Sequence, residues 1–206
     1  HVLPSEGGSV SISSQSVLHG RSVEVISKAE EGMVLLDVVA NGVSLGAQET
    51  TVLQNVRDDV MVAAVFGRPE EKRCLIMAEP AERGVISPSA ISVEFGKVQE
   101  IALKPDQGCF VDAVFLNGNY IGRGSRLRLN KVENHFLVAA RFGRYGDLDH
   151  NNEVNASDAL YVLQHSVDLI ALDSAQERAA DVDANGLINP TDALFILQHT
   201  VDLISE

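Results

Sequence analysis

The sequence is poor in cysteine, in long apolar runs and in basic residues, and each shortage excludes a class of protein. Two Cys are too few for a disulfide scaffold. Cys74 and Cys109 by themselves leave a disulfide and two separate thiols equally open. No apolar run is long enough for a helix to span a bilayer. Lys and Arg number 16 against 29 Asp and Glu, so the net charge is −13. The charge is concentrated in residues 144–206, and a segment that acidic is a poor nucleic-acid or anionic-membrane binder, because phosphate contacts need Lys and Arg. Catalytic signatures are missing too. There is no Gly-x-Ser-x-Gly elbow, and Gly122-Arg123-Gly124 lacks the remaining glycines of a phosphate loop. His165 and His199 have no second His four residues away. Carboxylate pairs show no acid–base spacing, so no enzymatic activity is expected.

What is present is a globular composition, 45% hydrophobic and 22% charged, rather than a disordered one. The chain starts at His1 and no signal-peptide core follows, as expected of a processed chain or a fragment. Charge is unevenly spread. Residues 144–206 hold 12 acids and 2 bases, a net −10. A segment this acidic either stays unfolded through self-repulsion or binds cations that cancel its charge.

Two internal periods divide the chain. At an offset of 76, Gly8 matches Gly84, Gly20 matches Gly96, Gly32 matches Gly108 and Gly46 matches Gly122. Asn41-Gly42 matches Asn117-Gly118, and Val62-Ala63-Ala64 matches Val138-Ala139-Ala140. From residue 8 to 67 no gap is needed, and 20 of 60 positions are identical. Alternating runs such as Val23-Glu24-Val25 and Ile101-Ala102-Leu103 predict half-buried strands. Asn-Gly between apolar runs predicts type I′ hairpins, whose central residues both need positive φ. Arg73 to Met77 reads as the first strand of the second copy. Only Val2-Leu3 remains of that strand in the first copy, which is expected to be truncated.

These copies resemble the divergent internalin-B-type repeats of bacterial surface and secreted proteins. The resemblance rests on Gly7 to Ser13 with Arg83 to Ser89, on Gly20 to Gly32 with Gly96 to Gly108, and on the closing Val-Ala-Ala-x-Phe-Gly. It departs at Met33, Val38, Cys109 and Val114, where the family usually shows aromatics. It implies a spacer or support role.

The second period is 34. Asp147 to Asp158 aligns with Asp181 to Asp192, and each is followed by a near-identical segment ending in Val-Asp-Leu-Ile. A Ca²⁺ ion takes about six to eight oxygens, and a twelve-residue loop supplies them from positions 1, 3, 5, 7, 9 and 12. Both loops place Asp at 1 and 3, Asn at 5 and 9, and Asp at 12. Gly186 suits the sharp turn at position 6; Asn152 stands there in the first loop. Two acidic turns, each leading into a capped helix, are the plainer reading. Two such loops in register, each feeding the same helix, favour calcium over that reading and over Mg²⁺, which prefers fewer protein ligands.

Before Asp147 the sequence reads as strand and turn, so loop–helix rather than helix–loop–helix is expected at both sites. The tandem loop–helix arrangement, with Asp at position 12, resembles a dockerin, the docking module of cellulosomes. The resemblance implies calcium ligation by Asp147, Asp149, Asn151, Glu153 (through its carbonyl), Asn155 and Asp158. In the second loop the ligands are Asp181, Asp183, Asn185, Leu187 (carbonyl), Asn189 and Asp192. It also implies a cohesin as partner.

Helical spacing places Leu160, Leu163, Val167 and Ile170 on the core face, with Leu194, Leu197, Val201 and Ile204 in the second copy. The partner face is then expected to hold Ala156, Ser157, Tyr161, Gln164 and His165, and Pro190, Thr191, Phe195, Gln198 and His199. Tyr161 and Phe195 could alternatively pack on the neighbouring β-module. Arg123, Arg126, Arg128 and Lys131 form a basic strand face that either meets the acidic segment or is solvated.

The expected architecture is multi-domain. Two small β-rich repeat modules (1–67, truncated at its start, and 73–143) precede an all-α dockerin (144–206) with two EF-hand-like loops. The expected function is calcium-dependent docking onto a cohesin of a scaffoldin or cell-surface anchor, by a secreted or surface-bound bacterial protein. The β-modules would serve as spacer or stabiliser, and two Ca²⁺ as cofactors. The rivals are a plain calcium sensor or buffer, and the C-terminal part of a secreted polysaccharide-degrading enzyme.

Overall fold

The computed structural model describes residues 1–201. Fourteen strands fill the first 144 residues and three helices follow among the described residues. The chain divides into two compact units, and the division cuts across the 76-residue copies. The first unit is residues 1–80, 86–103 and 114–140. The second is residues 81–85, 104–113 and 141–206.

In the first copy, β1 (Gly8–Ile12), β2 (Arg21–Ala29) and β5 (Thr50–Val56) form one antiparallel sheet in the order β1-β2-β5. β3 (Val34–Ala40), β4 (Val43–Ser44) and β6 (Val62–Gly67) form another, ordered β4-β3-β6. Alternate residues Val23, Val25 and Ser27 of β2 are buried. Val25, Val38, Ala40 and Val62 make the core, with Val10, Ile12, Leu35 and Leu53 packed around it. Alternation in β2 is therefore the register of one sheet face turned inward.

The second copy reuses this plan. β8 (Gly84–Ser87), β10 (Gln99–Pro105) and β13 (Arg126–Leu129) form a sheet ordered β13-β10-β8. β7 (Arg73–Ala78), β9 (Ala90–Glu94), β11 (Cys109–Leu116), β12 (Asn119–Gly122) and β14 (Phe136–Arg144) form a sheet ordered β12-β11-β14-β7-β9. β7 pairs in parallel with β14, and its register includes Ala78 with Val138. In the first copy the isolated parallel bridge of Val2 with Val62 is the same pair shifted by 76. Val2 is thus the remnant of the strand that β7 completes in the second copy.

The Asn-Gly hairpins form as expected. Asn41 and Gly42 have φ of 47° and 80°, and Asn117 and Gly118 have 49° and 78°. Each Asn side chain accepts a backbone N–H, from Met61 at 2.8 Å and from Leu137 at 2.7 Å. Gly8 is required for another reason: a Cβ there would lie 2.5 Å from the Phe66 ring. Within the first unit, Val39, Met61, Ala63 and Val65 of copy one pack against Leu75, Met77 and Leu137 of copy two. His135 bridges the same region, accepting the Leu75 N–H at Nδ1 (2.8 Å) and lying 3.0 Å from Asp37 through Nε2. No disulfide joins Cys74, which is buried, to Cys109, which is half-buried.

The second unit carries α1 (Ala156–Ser166), α2 (Ser174–Ala180) and α3 (Pro190–Thr200). Asn155, Asp173 and Asn189 are the N-caps, each in a reciprocal capping box. Leu148, Ala159, Val162, Leu172, Ala179, Ala180, Ala193 and Ile196 form its core, together with Phe110 of β11.

Two expectations need correction. The helices do not bury Leu160, Leu163 and Val167, or Leu194, Leu197 and Val201; all six are exposed, Val167 by 70%. The neighbouring stripe of Ala159 and Val162, with Ala193 and Ile196, is buried instead. Both stripes follow helical spacing. Small alanines let α1 and α3 pack together closely, which leaves the longer Leu side chains outside. Ile170 does pack against the core, and Ile204 lies outside the described residues. Secondly, the second loop is preceded by a helix, because α2 ends at Ala180. Seven residues bounded by a capped Asp173 are too few to display an amphipathic period.

Candidate metal and docking site

The helix caps build the first loop. Asp158 occupies the third position of α1 and is fully buried. One carboxylate oxygen accepts the N–H of Leu148 (2.7 Å) and of Asp149 (3.3 Å), and the other accepts that of Asn155 (2.9 Å). It ties the start of the loop to the start of the helix. Asp149 accepts from the backbone and side chain of Asn151, and the Asn151 side chain accepts the Glu153 N–H. These short-range turns hold the loop closed. Asn152 takes the left-handed conformation with φ 76°, as Gly186 does in the second loop with φ 83°.

The second loop repeats the plan. Asp192 accepts from Val182 at 3.1 Å and from Asn189 at 3.0 Å. Asp183 accepts from the backbone and side chain of Asn185, whose own carbonyl oxygen accepts the Leu187 N–H. In each loop three carboxylates converge: oxygens of Asp147, Asp149 and Asp158 lie within 4.8 Å of one another, and so do those of Asp181, Asp183 and Asp192.

Three converging carboxylates fit a hard cation, since like charges this close repel without one. Asp147 supplies a second sign of fit. Its side chain is fully buried, and neither carboxylate oxygen has a hydrogen-bond partner. A buried carboxylate left so needs a cation beside it, a place that Arg83 Nη2, 3.4 Å from Oδ2, fills only in part. Asn151, Asn155, Asn185 and Asn189 stand in the same loops, but their side-chain oxygens accept backbone N–H groups here. Asp173, which caps α2, is held below the ordinary carboxylate value by the backbone N–H groups of Gln176 and Ala175. It belongs to the helix start and to neither triad.

Of the residues expected at a partner face, Ala156, Ser157, Pro190 and Thr191 are exposed. Tyr161, Gln164, His165, Phe195, Gln198 and His199 are half-buried. Tyr161 packs against the helical core. Phe195 lines an apolar cleft with Tyr145, Val154 and Ile196. The most exposed apolar residues of the two helices are therefore Leu160, Leu163 and Val167, with Leu194, Leu197 and Val201. The signal for this lay in the repeated Asp-Ala-Leu, whose alanine marks the close contact. Arg178 and Arg83, both of which reach carboxylates in this unit, carry no sequence signature.

Residues 145–199 match the family model of the dockerin type I domain. The C-terminal segment is thus a dockerin in sequence, and the β-rich region before it lies outside the match. Among solved structures, one similar chain comes from a complex of the third ScaC cohesin with the ScaB dockerin of Acetivibrio cellulolyticus, altered in its C-terminal helix and displaying a type I interaction. It is 32% identical and covers 30% of this chain and 86% of its own, with a TM-score of 0.29. Another comes from the fibronectin(III)-like modules of Clostridium thermocellum CbhA. It is 9% identical and covers 71% of this chain and 100% of its own, with a TM-score of 0.18. No curated protein matches the chain.

Proposed function

We propose that the C-terminal segment is a calcium-dependent docking module that binds a cohesin and so recruits the protein to a cellulosome-like assembly outside the cell. The observation that carries this reading is the coincidence of the dockerin match at 145–199 with two carboxylate triads 34 residues apart. Asp147, Asp149 and Asp158 would hold one ion, and Asp181, Asp183 and Asp192 the other. The loop asparagines and the carbonyls of Glu153 and Leu187 would complete the oxygen set. A bound ion would supply the positive charge that lets three carboxylates share one site, and so lock each loop to its helix.

The docking surface is the exposed stripe of Leu160 and Leu163 on α1 with its C-cap Val167, and its counterpart of Leu194 and Leu197 on α3 with its C-cap Val201. Exposed aliphatic side chains rimmed by Ser157, Thr191, Gln164 and Gln198 have the make-up of an interface: apolar at the centre and polar at the edge. The β-modules act as spacer and support, with no catalytic part. The test is a pull-down of the full chain against a panel of cohesins, with Ca²⁺ and with excess EDTA. Retention that needs Ca²⁺ supports the reading. A protein that binds Ca²⁺ yet retains no cohesin would be a calcium buffer instead.

A further inference from the structure

The two triads differ in how their first aspartate is balanced. In the second loop both oxygens of Asp181 accept backbone N–H groups, from Asn185 and from Gly186, each at 3.0 Å. In the first loop neither oxygen of Asp147 accepts a hydrogen bond, although both are buried. What faces Asp147 is a guanidinium: Arg83 Nη2 lies 3.4 Å from its Oδ2.

Arg83 comes from the β-repeat, where its position has an unusual history. Its counterpart 76 residues earlier is Gly7. Both take the left-handed conformation, Gly7 with φ 83° and Arg83 with φ 63°. Both accept the same turn hydrogen bond, from Glu30 at 3.0 Å and from Asp106 at 2.9 Å. The backbone is therefore shared and suits glycine, yet the second copy carries a long cation there. Left-handed backbone disfavours a residue with a Cβ. The side chain compensates by reaching the dockerin loop.

We propose that Arg83 is a built-in counter-cation for the first calcium loop, so that the β-repeat weakens calcium binding at that site. The inference rests on the calcium reading given above. Without an ion the first triad has a charge of −3, and a bound Ca²⁺ leaves it at −1. Arg83 is attracted more strongly to the first state than to the second. By linkage it stabilises the ion-free loop and lowers its calcium affinity. The second triad, with Asp181 held by backbone N–H groups, loads first. The protein would then take up calcium in two unequal steps, the weaker one set by a residue outside the dockerin match.

The test is calcium titration of the full chain by calorimetry and chelator competition, for the wild type, Arg83→Gly and Arg83→Lys. Glycine restores the residue of the first copy and suits the backbone, so the variant is expected to fold. Wild type should bind two ions with unequal constants. Arg83→Gly should tighten the weaker constant about tenfold or more and leave the tighter one unchanged. It should also lower the melting temperature in EDTA while leaving that in Ca²⁺ unaltered. Arg83→Lys, which keeps the charge, should stay near wild type. Two ions bound with both constants unchanged in Arg83→Gly, or a weaker constant that falls further, overturns the role of Arg83 alone. Failure of the wild type to bind Ca²⁺ overturns the calcium reading and this inference with it.

Discussion

Arg178 of α2 donates through Nη2 to Oδ1 of Asp112 on strand β11, and Arg141 of β14 donates to the other oxygen of the same carboxylate. Asp112 is buried, and 76 residues earlier the first copy has Leu36. The Arg178 guanidinium also stacks 5.2 Å from the centre of the Phe110 ring, which belongs to the helical core. A β-strand of the second repeat and a dockerin helix thus share one charged contact. Removing Asp112 leaves the Arg178 guanidinium without its carboxylate, at a cost of about 3 kcal/mol, whereas removing Arg178 leaves Asp112 still paired with Arg141 and costs less. Asp112→Ala should lose roughly this much in urea unfolding and Arg178→Ala about half of it. The double variant should lose much less than the sum of the two. Additive losses would show that the two residues are not energetically coupled.

Calcium removal should act on one part of the chain only. The triads lie in residues 147–192, and none of their residues is near in sequence to the repeat cores built on Val25, Val38, Leu75 and Met77. Excess EDTA should therefore lower helical circular dichroism at 222 nm and leave the β-sheet transition in place. Asp192→Ala should reproduce the loss at the second site even in saturating Ca²⁺, because it removes a carboxylate that also accepts the Val182 and Asn189 N–H groups. Helicity unchanged in EDTA would contradict ion-coupled folding.

Acid should weaken the contact between the repeats through Asp37. Burial pushes its carboxyl up, but hydrogen bonds from His135 and Ser44, the charge of His135 and the Gly46 N–H outweigh this. The net is a value below the ordinary 3.8. A depressed acid stabilises the fold above its unfolded value and loses that contribution as pH falls through its folded one. Asp37→Asn should cost about 1–2 kcal/mol at pH 7. The gap from wild type should close as the pH drops below about 4. A gap independent of pH from 3 to 7 in urea titrations would show that the charge contributes nothing.

The sequence made some of these features legible and hid others, for physical reasons. Local chemistry was readable. Asn41-Gly42 and Asn117-Gly118 demanded positive φ and have it, and the run of Asp147 to Asp158 predicted a carboxylate triad that does converge. Periodicity was ambiguous where two stripes ran side by side. Leu160-Leu163-Val167 and Ala159-Val162 both repeat at helical spacing, and hydrophobicity favoured the larger residues. Packing distance decided otherwise, and distance is a property of the partner helix. Helix α2 was missed because its stability resides in the caps of Asp173 and Gln176 more than in an apolar face. Arg83 and Arg178 could not be foreseen, since their partners lie 64 and 66 residues away in sequence.

The exposed leucines offer the most direct test of docking. Leu163 and Leu197 are related by 34 residues and occupy the same place on α1 and α3. Both are more than a third exposed, so Leu163→Asp and Leu197→Asp should each change stability by no more than about 0.5 kcal/mol. Their effect on cohesin binding distinguishes two arrangements. If the pseudo-symmetric helices present equivalent surfaces, a cohesin can seat on either. Each single variant then loses at most about twofold in affinity, while the double variant loses binding. The surroundings argue against equivalence. Among the described residues, only the first loop faces Arg83 and only α3 starts with a proline, Pro190. We therefore expect one helix to dominate, with one single variant losing about 2 kcal/mol or more and the other binding as the wild type does. Tyr161→Ala and Phe195→Ala serve as controls. Their half-buried rings should cost stability before affinity, so full affinity in a destabilised Tyr161→Ala would place the interface on the leucine stripe. Equal small losses in both Leu variants would instead establish two interchangeable modes.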